Sequence, residues 1–265
     1  MTQPEHVGDD AALIPGADAW AHDAGTTAAG ALVLHGFTGN PGSMRGLAEA
    51  FAAAGFHVEM PRLPGHGTTV DDMLTTGWAD WVGEAEAALQ RLAARSDRLV
   101  VAGLSMGGSL TLRLGADHPE LLGLICINPA TQPQPAEVLA ALEGMLAGGT
   151  TVMPGIGSDI ADPDAHESAY EGTPVAPLLS FMNDGLVPLE PRYPEMRMPL
   201  LLMTSPNDHV VPPAQSDHLA ERYGGPVERL TLDRSFHVAT QDYDRELIFE
   251  RSVAFATRVT AAAPR

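Results

Sequence analysis

The first group in this chain whose spacing suggests chemistry is a serine with glycines two positions away on either side. Gly103-Leu104-Ser105-Met106-Gly107 fits the pattern G-x-S-x-G. It follows an apolar run over residues 99–102 and precedes a helix-like stretch over 106–116. A serine on so sharp a strand-to-helix turn stands at the tip, and the small flanking residues let neighbouring chain pass close by. The following helix aims its N-terminus, which favours negative charge, at the same point. That setting suits a nucleophile. A hydroxyl is a weak nucleophile by itself, so a base is needed, and a group to orient that base.

Four of the ten histidines lie well beyond the turn: His166, His209, His218 and His237. His237, in Ser235-Phe236-His237-Val238, falls on a loop between the last predicted strand and the last helix. That places it at the carboxyl edge of a sheet, where Ser105 also sits. His209 flanks the site, and His218 reads as a solvated helix residue. The orienting carboxylate belongs on the loop after the penultimate strand, Thr204-Ser205-Pro206-Asn207-Asp208-His209. Asp208 is the candidate; Asp217 lies too far along and Asp233 too near His237. Ser105, His237 and Asp208 then take the roles of nucleophile, general base and orienting acid. A tetrahedral intermediate also needs donors for its oxyanion. Met106 N–H is one, as the residue after the nucleophile. Phe37 N–H is the other, from the loop His35-Gly36-Phe37-Thr38-Gly39, where Gly36 leaves room for substrate. His35 reads as structural.

Short apolar runs and longer amphipathic stretches must bring these groups together. Residues 31–34, 56–60, 99–102, 121–127, 200–203 and 227–232 read as strands, mostly apolar on both faces, as in a buried parallel sheet. Trp78, Trp81, Ala85, Ala88 and Leu92 recur at helical spacing, as do Ile248, Ser252, Phe255 and Val259. The alternation predicts an α/β fold: one domain over 1–265, with a mostly parallel central sheet and helices on both faces. Residues 131–197 are too long for a simple crossover and rich in proline and glycine. Such insertions are commonly lids. Its apolar positions suit a lid over the site, with Leu142, Met145 and Ile156 as candidate binding residues.

Composition narrows the partners. The 265 residues carry 34 acidic and 15 basic side chains, every basic one arginine, for a net charge of −19. Phosphate-rich partners would be repelled, so no nucleic acid is expected. Cys126, the one cysteine, sits in an apolar run and reads as a small buried hydrophobe. No H-E-x-x-H, paired-histidine, Walker or G-x-G-x-x-G pattern occurs, so neither a metal nor a cofactor is expected. Gly65-His66-Gly67 reads as a turn; Asp10, Asp71, Asp72, Glu84 and Glu86 read as solvated surface. Residues 1–30 hold no Lys or Arg, so no secretory leader is expected. No apolar run approaches the roughly 20 residues of a membrane span. A cytoplasmic protein without an integral membrane segment is expected.

Five segments together resemble a known family. They are His35-Gly36-Phe37-Thr38-Gly39, Gly65-His66-Gly67, Gly103-Leu104-Ser105-Met106-Gly107-Gly108, Asn207-Asp208-His209-Val210-Val211-Pro212-Pro213 and Ser235-Phe236-His237-Val238-Ala239-Thr240. They resemble the bacterial monoacylglycerol lipase and small carboxylesterase group of α/β-hydrolases, over about residues 30–260. The later motifs, with Asp242-Tyr243-Asp244 and Glu250-Arg251-Ser252, stand closer to the lipase branch, and the cap stretch from Gly155-Ile156-Gly157-Ser158-Asp159 through Ala169-Tyr170-Glu171 resembles it too. The resemblance implies an α/β-hydrolase fold with a small cap, a Ser105–Asp208–His237 triad and Phe37 and Met106 as oxyanion donors. It implies a small-molecule ester substrate, monoacylglycerol first, with Glu167 contacting the glycerol head and a cap that touches lipid surfaces transiently. A general short- to medium-chain carboxylesterase is the alternative. A non-catalytic ligand-binding protein on the same fold is the remote one. Residues 131–151 depart from the pattern, which leaves acyl-chain length open.

Overall fold

Apolar runs of four to six residues cannot leave both faces in water, and they form the middle of the sheet. The computed structural model describes residues 12–155 and 157–261; Asp10 and Ile156 lie outside them. The strands are β1 (Trp20–His22), β2 (Gly30–Leu34), β3 (His57–Met60), β4 (Leu99–Leu104), β5 (Gly123–Ile127), β6 (Val152–Pro154), β7 (Gly172–Pro174), β8 (Leu200–Thr204) and β9 (Val227–Thr231). The helices are α1 (Arg45–Ala53), α2 (Val70–Met73), α3 (Trp78–Ala93), α4 (Met106–Asp117), α5 (Ala136–Ala147), α6 (Val175–Ser180), α7 (Val187–Leu189), α8 (Ala214–Arg222) and α9 (Arg245–Ala261). A π-helix, Phe181–Leu186, runs between α6 and α7.

The main sheet has the order β1-β3-β2-β4-β5-β8-β9. All its pairs are parallel except β1 with β3. Alternate residues along each strand face opposite sides. Leu32, Leu34, Val101, Leu124, Cys126 and Leu202 join one core with Trp78, Trp81 and Leu92 of α3, Leu110 and Leu114 of α4 and Leu219 of α8. Ala31, Val33, Val100, Ile125 and Met203 join the other with Leu47 and Phe51 of α1 and Ile248 and Phe255 of α9. This is the α/β-hydrolase arrangement of a mostly parallel sheet between helical layers.

The chain runs from β2 outward to β3, then returns across β2 to β4. At such a reversal the loops leaving two adjacent parallel strands diverge and open a crevice at their carboxyl ends. The loops after β2 and β4 carry Phe37 and Ser105. The chain leaves the sheet after Ile127 and rejoins it at Leu200. Between them α5, the antiparallel pair β6–β7, α6, the π-helix and α7 form a cap with its own small core of Leu142, Val175 and Leu179.

Several expectations need correcting. β5 begins at Gly123 rather than 121, because Leu121 closes a turn onto His118 O at 3.1 Å. Glu84 and Glu86 are engaged rather than simply solvated: Glu84 pairs with Arg91 at 3.0 Å and Glu86 with His118 Nε2 at 2.8 Å. His218 is likewise mostly covered, its side chain 12% exposed and 2.8 Å from Glu190. No described helix is long and apolar enough to cross a membrane.

Candidate active site

Ser105 follows β4 and caps α4 at φ 57°, ψ −120°. A non-glycine residue with positive φ carries strain on the order of 1–3 kcal/mol, so the surroundings must enforce it. Ser105 N–H donates to Ile127 O at 3.0 Å, and its carbonyl accepts from Gly108 N at 2.9 Å. The flanking glycines answer a close approach. A Cβ on Gly103 would lie 2.0 Å from Gly107 O, and one on Gly107 would lie 2.3 Å from Leu34 O. Gly36 sits against the nucleophile, where a Cβ would lie 3.8 Å from Ser105 Oγ.

The other candidates stand on loops further along the sheet, joined to this turn through the end of β5: Ser105 N–H bonds Ile127 O, and the next residue, Asn128, bonds His237 O. Asp208 follows β8 and His237 follows β9. His237 Nδ1 lies 2.7 Å from Asp208 Oδ2, with the two side chains 9% and 1% exposed. The other carboxylate oxygen, Asp208 Oδ1, accepts from Val210 and Val211 N–H at 2.8 Å each. An ionised carboxylate only accepts, so this contact requires the proton on Nδ1 and leaves the Nε2 lone pair free. The competing carboxylates lie elsewhere: Asp217 pairs with Arg229 on the surface, and Asp233 is exposed. His166 and His209 are exposed.

Two backbone donors complete the geometry. Among the described residues, neither Phe37 N–H nor Met106 N–H reaches a protein acceptor. Met106 opens α4, where the first N–H groups have no intrahelical partner. The Phe37 ring wedges between Trp81, with centroids 5.7 Å apart, and Phe181 of the π-helix, at 6.4 Å, which fixes the loop that carries the donor.

His35 and His66 are buried structural groups. His35 Nε2 accepts from Leu63 N–H at 3.1 Å while Nδ1–H donates to Gly36 O at 2.9 Å, and burial lowers its pKa to about 4. His66 sits in the turn between Gly65 and Gly67, both at positive φ, and burial holds its pKa well below the ordinary value. Cys126 is fully buried, which raises its thiol pKa.

Glu167 comes from the cap arm. Its backbone N–H donates to Ser158 Oγ at 2.9 Å, while its carboxylate takes no hydrogen bond from the described residues. A Cβ on Gly39 would meet Glu167 Oε1 at 2.8 Å, so Gly39 makes room for it beside the Phe37 loop. Burial raises the Glu167 carboxyl to about 7, against a smaller downward pull from His237. The folded-state value exceeds the ordinary 4.5, so the fold favours the neutral acid. Stability from this group is full below about pH 4.5 and is lost as pH rises through about 7. Glu167→Gln cannot ionise and is expected to be the more stable protein at about pH 8. The gain is up to about 3 kcal/mol for a shift of this size, shrinking towards acid pH. Denaturant midpoints across pH check this; identical midpoints at high pH would contradict it.

The remaining cap candidates separate. Leu142 is buried in the cap core with Val175 and Leu179, while Met145, one turn further along α5, is 43% exposed. The sequence reading missed Asn128, Asp159 and Asp242. Asn128, at φ 44°, donates from Nδ2 to His237 O at 2.8 Å and accepts from Ser205 N–H at 2.7 Å. It ties the loop of the acid to the loop of the base. Fully buried Asp242 accepts from Ala161, Asp162, Phe236 and Tyr243 N–H. Nothing local in the sequence marks Asn128; Asp159 and Asp242 fall in segments that resemble the lipase branch, but nothing there shows what they hold.

Comparison with known proteins agrees with this architecture. The family model described as serine aminopeptidase, S33 matches residues 26–244. A thermostable monoacylglycerol lipase from Bacillus sp. strain H-257 is 42% identical over 229 residues, covering 85% of this chain and 89% of that protein. A solved structure from work on LipS and LipT, two metagenome-derived lipolytic enzymes, superposes with a TM-score of 0.87 at 41% identity, covering 93% of this chain and 100% of the other. A monoacylglycerol lipase from Paleococcus ferrophilus superposes with a TM-score of 0.71 at 18% identity, covering 91% and 99%, a likeness of fold.

Proposed function

The chain belongs to the hydrolase family described as serine aminopeptidase, S33, and from that membership we propose that it hydrolyses carboxylic esters through an acyl-enzyme on Ser105, with monoacylglycerol as its substrate. The observations that support the chemistry are the strained Ser105 turn and the covered Asp208–His237 pair at 2.7 Å, both at the carboxyl ends of strands of the one sheet. The substrate class draws support from the 42% identical lipase. We propose one domain over 1–265, with residues 131–197 supplying the cap.

His237 Nε2 takes the Ser105 Oγ proton as Oγ attacks the ester carbonyl carbon. Phe37 and Met106 N–H hold the oxyanion. As the intermediate collapses, the alkoxide leaves with the proton from His237. Water then gives its proton to the same nitrogen and attacks the acyl carbonyl. The second collapse returns the proton to Ser105 and releases the fatty acid. Asp208 keeps the proton on Nδ1 and stabilises the transient imidazolium.

Glu167 is the group we assign to the glycerol hydroxyls, and Leu142, Met145 and Ile156 to the acyl side. The test is a panel of mono-, di- and triacylglycerols with methyl esters of the same acid. Monoacylglycerol should lead, because in this reading the cap roofs one acyl chain and offers further chains no apolar place. Above about pH 7, where the Glu167 carboxyl is ionised, Glu167→Gln should lower kcat/KM for monoacylglycerol by about tenfold or somewhat more, the worth of one charge-assisted hydrogen bond, and spare the methyl ester. Equal losses on both substrates would favour a general carboxylesterase. The unpaired Glu167 carboxylate suits one other ligand group, the ammonium of a peptide N-terminus, so aminoacyl anilides belong in the panel. Their turnover ahead of esters would favour a peptidase.

Val138, Met145, Val152 and Val187 form an exposed apolar set on the cap. No arginine lies between Arg113 and Arg192. This charge pattern suits transient contact with a neutral lipid surface. We place the protein in the cytoplasm, where its lone buried thiol needs no partner.

A further inference from the structure

We propose that Asp159, on the cap arm, is a positioning residue that sets the placement of His237, a role that rests on the ester-hydrolase reading above. One carboxylate oxygen, Asp159 Oδ2, accepts both His237 N–H and His209 N–H, at 3.1 Å each. The other oxygen lies 2.8 Å from His209 Nδ1. The Asp159 carbonyl accepts from Val238 N–H at 3.0 Å. A single cap residue thus grips the loop of the base at two successive amides and the loop of the acid at the residue after Asp208.

The opposite side of the same loop is already held. The His237 carbonyl accepts from Asn128 Nδ2, and Phe236 N–H donates to Asp242. Asp242 also takes Ala161 and Asp162 N–H, so it fastens the arm two and three residues past Asp159. Further along, Asn40 Nδ2 donates to Ser168 O, and Tyr170 N–H donates to Thr38 O at 3.1 Å, beside the Phe37 loop. The arm from 158 to 170 is therefore tied to the centre along its length. Without the Asp159 carboxylate, His237 N–H loses its acceptor, while the loop keeps the Val238 bond to the residue-159 carbonyl and the tie to Asn128. The imidazole can then drift relative to both Ser105 and Asp208.

The substitutions separate this role from a general one. Both backbone bonds converge on one oxygen, which an asparagine amide oxygen can replace; alanine can replace neither. On a p-nitrophenyl ester, Asp159→Ala should lose about 10- to 100-fold in kcat, the scale of an ångström-sized misplacement, with KM changed by less than about threefold. Asp159→Asn should stay within about threefold of wild type, since the oxygen that accepts both amides is kept and the change falls on the exposed His209 ring. Thermal unfolding of each variant is measured alongside. Should the alanine variant fail to fold, Asp159→Ser, whose short hydroxyl cannot span both amides, takes its place with the same expectation.

A folded alanine variant at full speed would overturn the assignment. So would a loss confined to KM, an asparagine variant as slow as the alanine one, or the failure of both alanine and serine variants to fold. An inactive wild type would instead strike at the ester-hydrolase reading, so the two failures stay distinguishable.

Discussion

Ser105→Ala is expected to lower kcat by about 10⁴- to 10⁶-fold and leave the fold intact. Alanine keeps the Cβ and removes only Oγ, so the contacts that enforce φ 57° persist: Ser105 N–H on Ile127 O, and Gly103 and Gly107 against their neighbours' carbonyls. What disappears is the atom that becomes acylated. The oxyanion donors remain, so a residual rate above that of water should survive. Thermal unfolding and initial rates on a p-nitrophenyl ester, measured together, separate lost chemistry from lost fold. A variant within tenfold of wild type would place the nucleophile elsewhere.

Asp208→Asn should come next in size, at about 10⁴-fold in kcat. The substitution is nearly isosteric, and an amide oxygen in the Oδ1 position can still accept from Val210 and Val211 N–H. The amide nitrogen then falls opposite His237 Nδ1, in place of the carboxylate oxygen 2.7 Å away. Two N–H groups cannot face each other, so the imidazole shifts its proton to Nε2 and can no longer take one from Ser105. The loss should appear in kcat with KM close to wild type. A full-speed Asp208→Asn enzyme would mean that another carboxylate orients His237.

Much of the arrangement was legible because its signals are local. The Ser105 turn announces itself within five residues, and the central strands are apolar along their whole length. Asp208 and His237 followed from strand order, since a loop's place at the sheet edge is set by the strand before it. What escaped depends on partners distant in sequence. β1 is a three-residue edge strand with no periodic pattern, formed by pairing with β3. β6 and β7 contain prolines and pair across the 17 residues between them. Asp159 grips His237 across 78 positions, and Asn128 does so across 109. No residue type or spacing announces such contacts. The burial along α5 escaped for another reason: the helix is apolar around most of its circumference, so composition did not say whether Leu142 or Met145 would be covered.

The most direct test of the account is the site of covalent capture. A fluorophosphonate probe reacts with a serine that has a working base and an oxyanion hole beside it. Mass mapping of the labelled wild-type protein should find one adduct, on Ser105, and Ser105→Ala should take up none. An adduct on any other residue, or ester hydrolysis by wild type with no adduct formed, would contradict it.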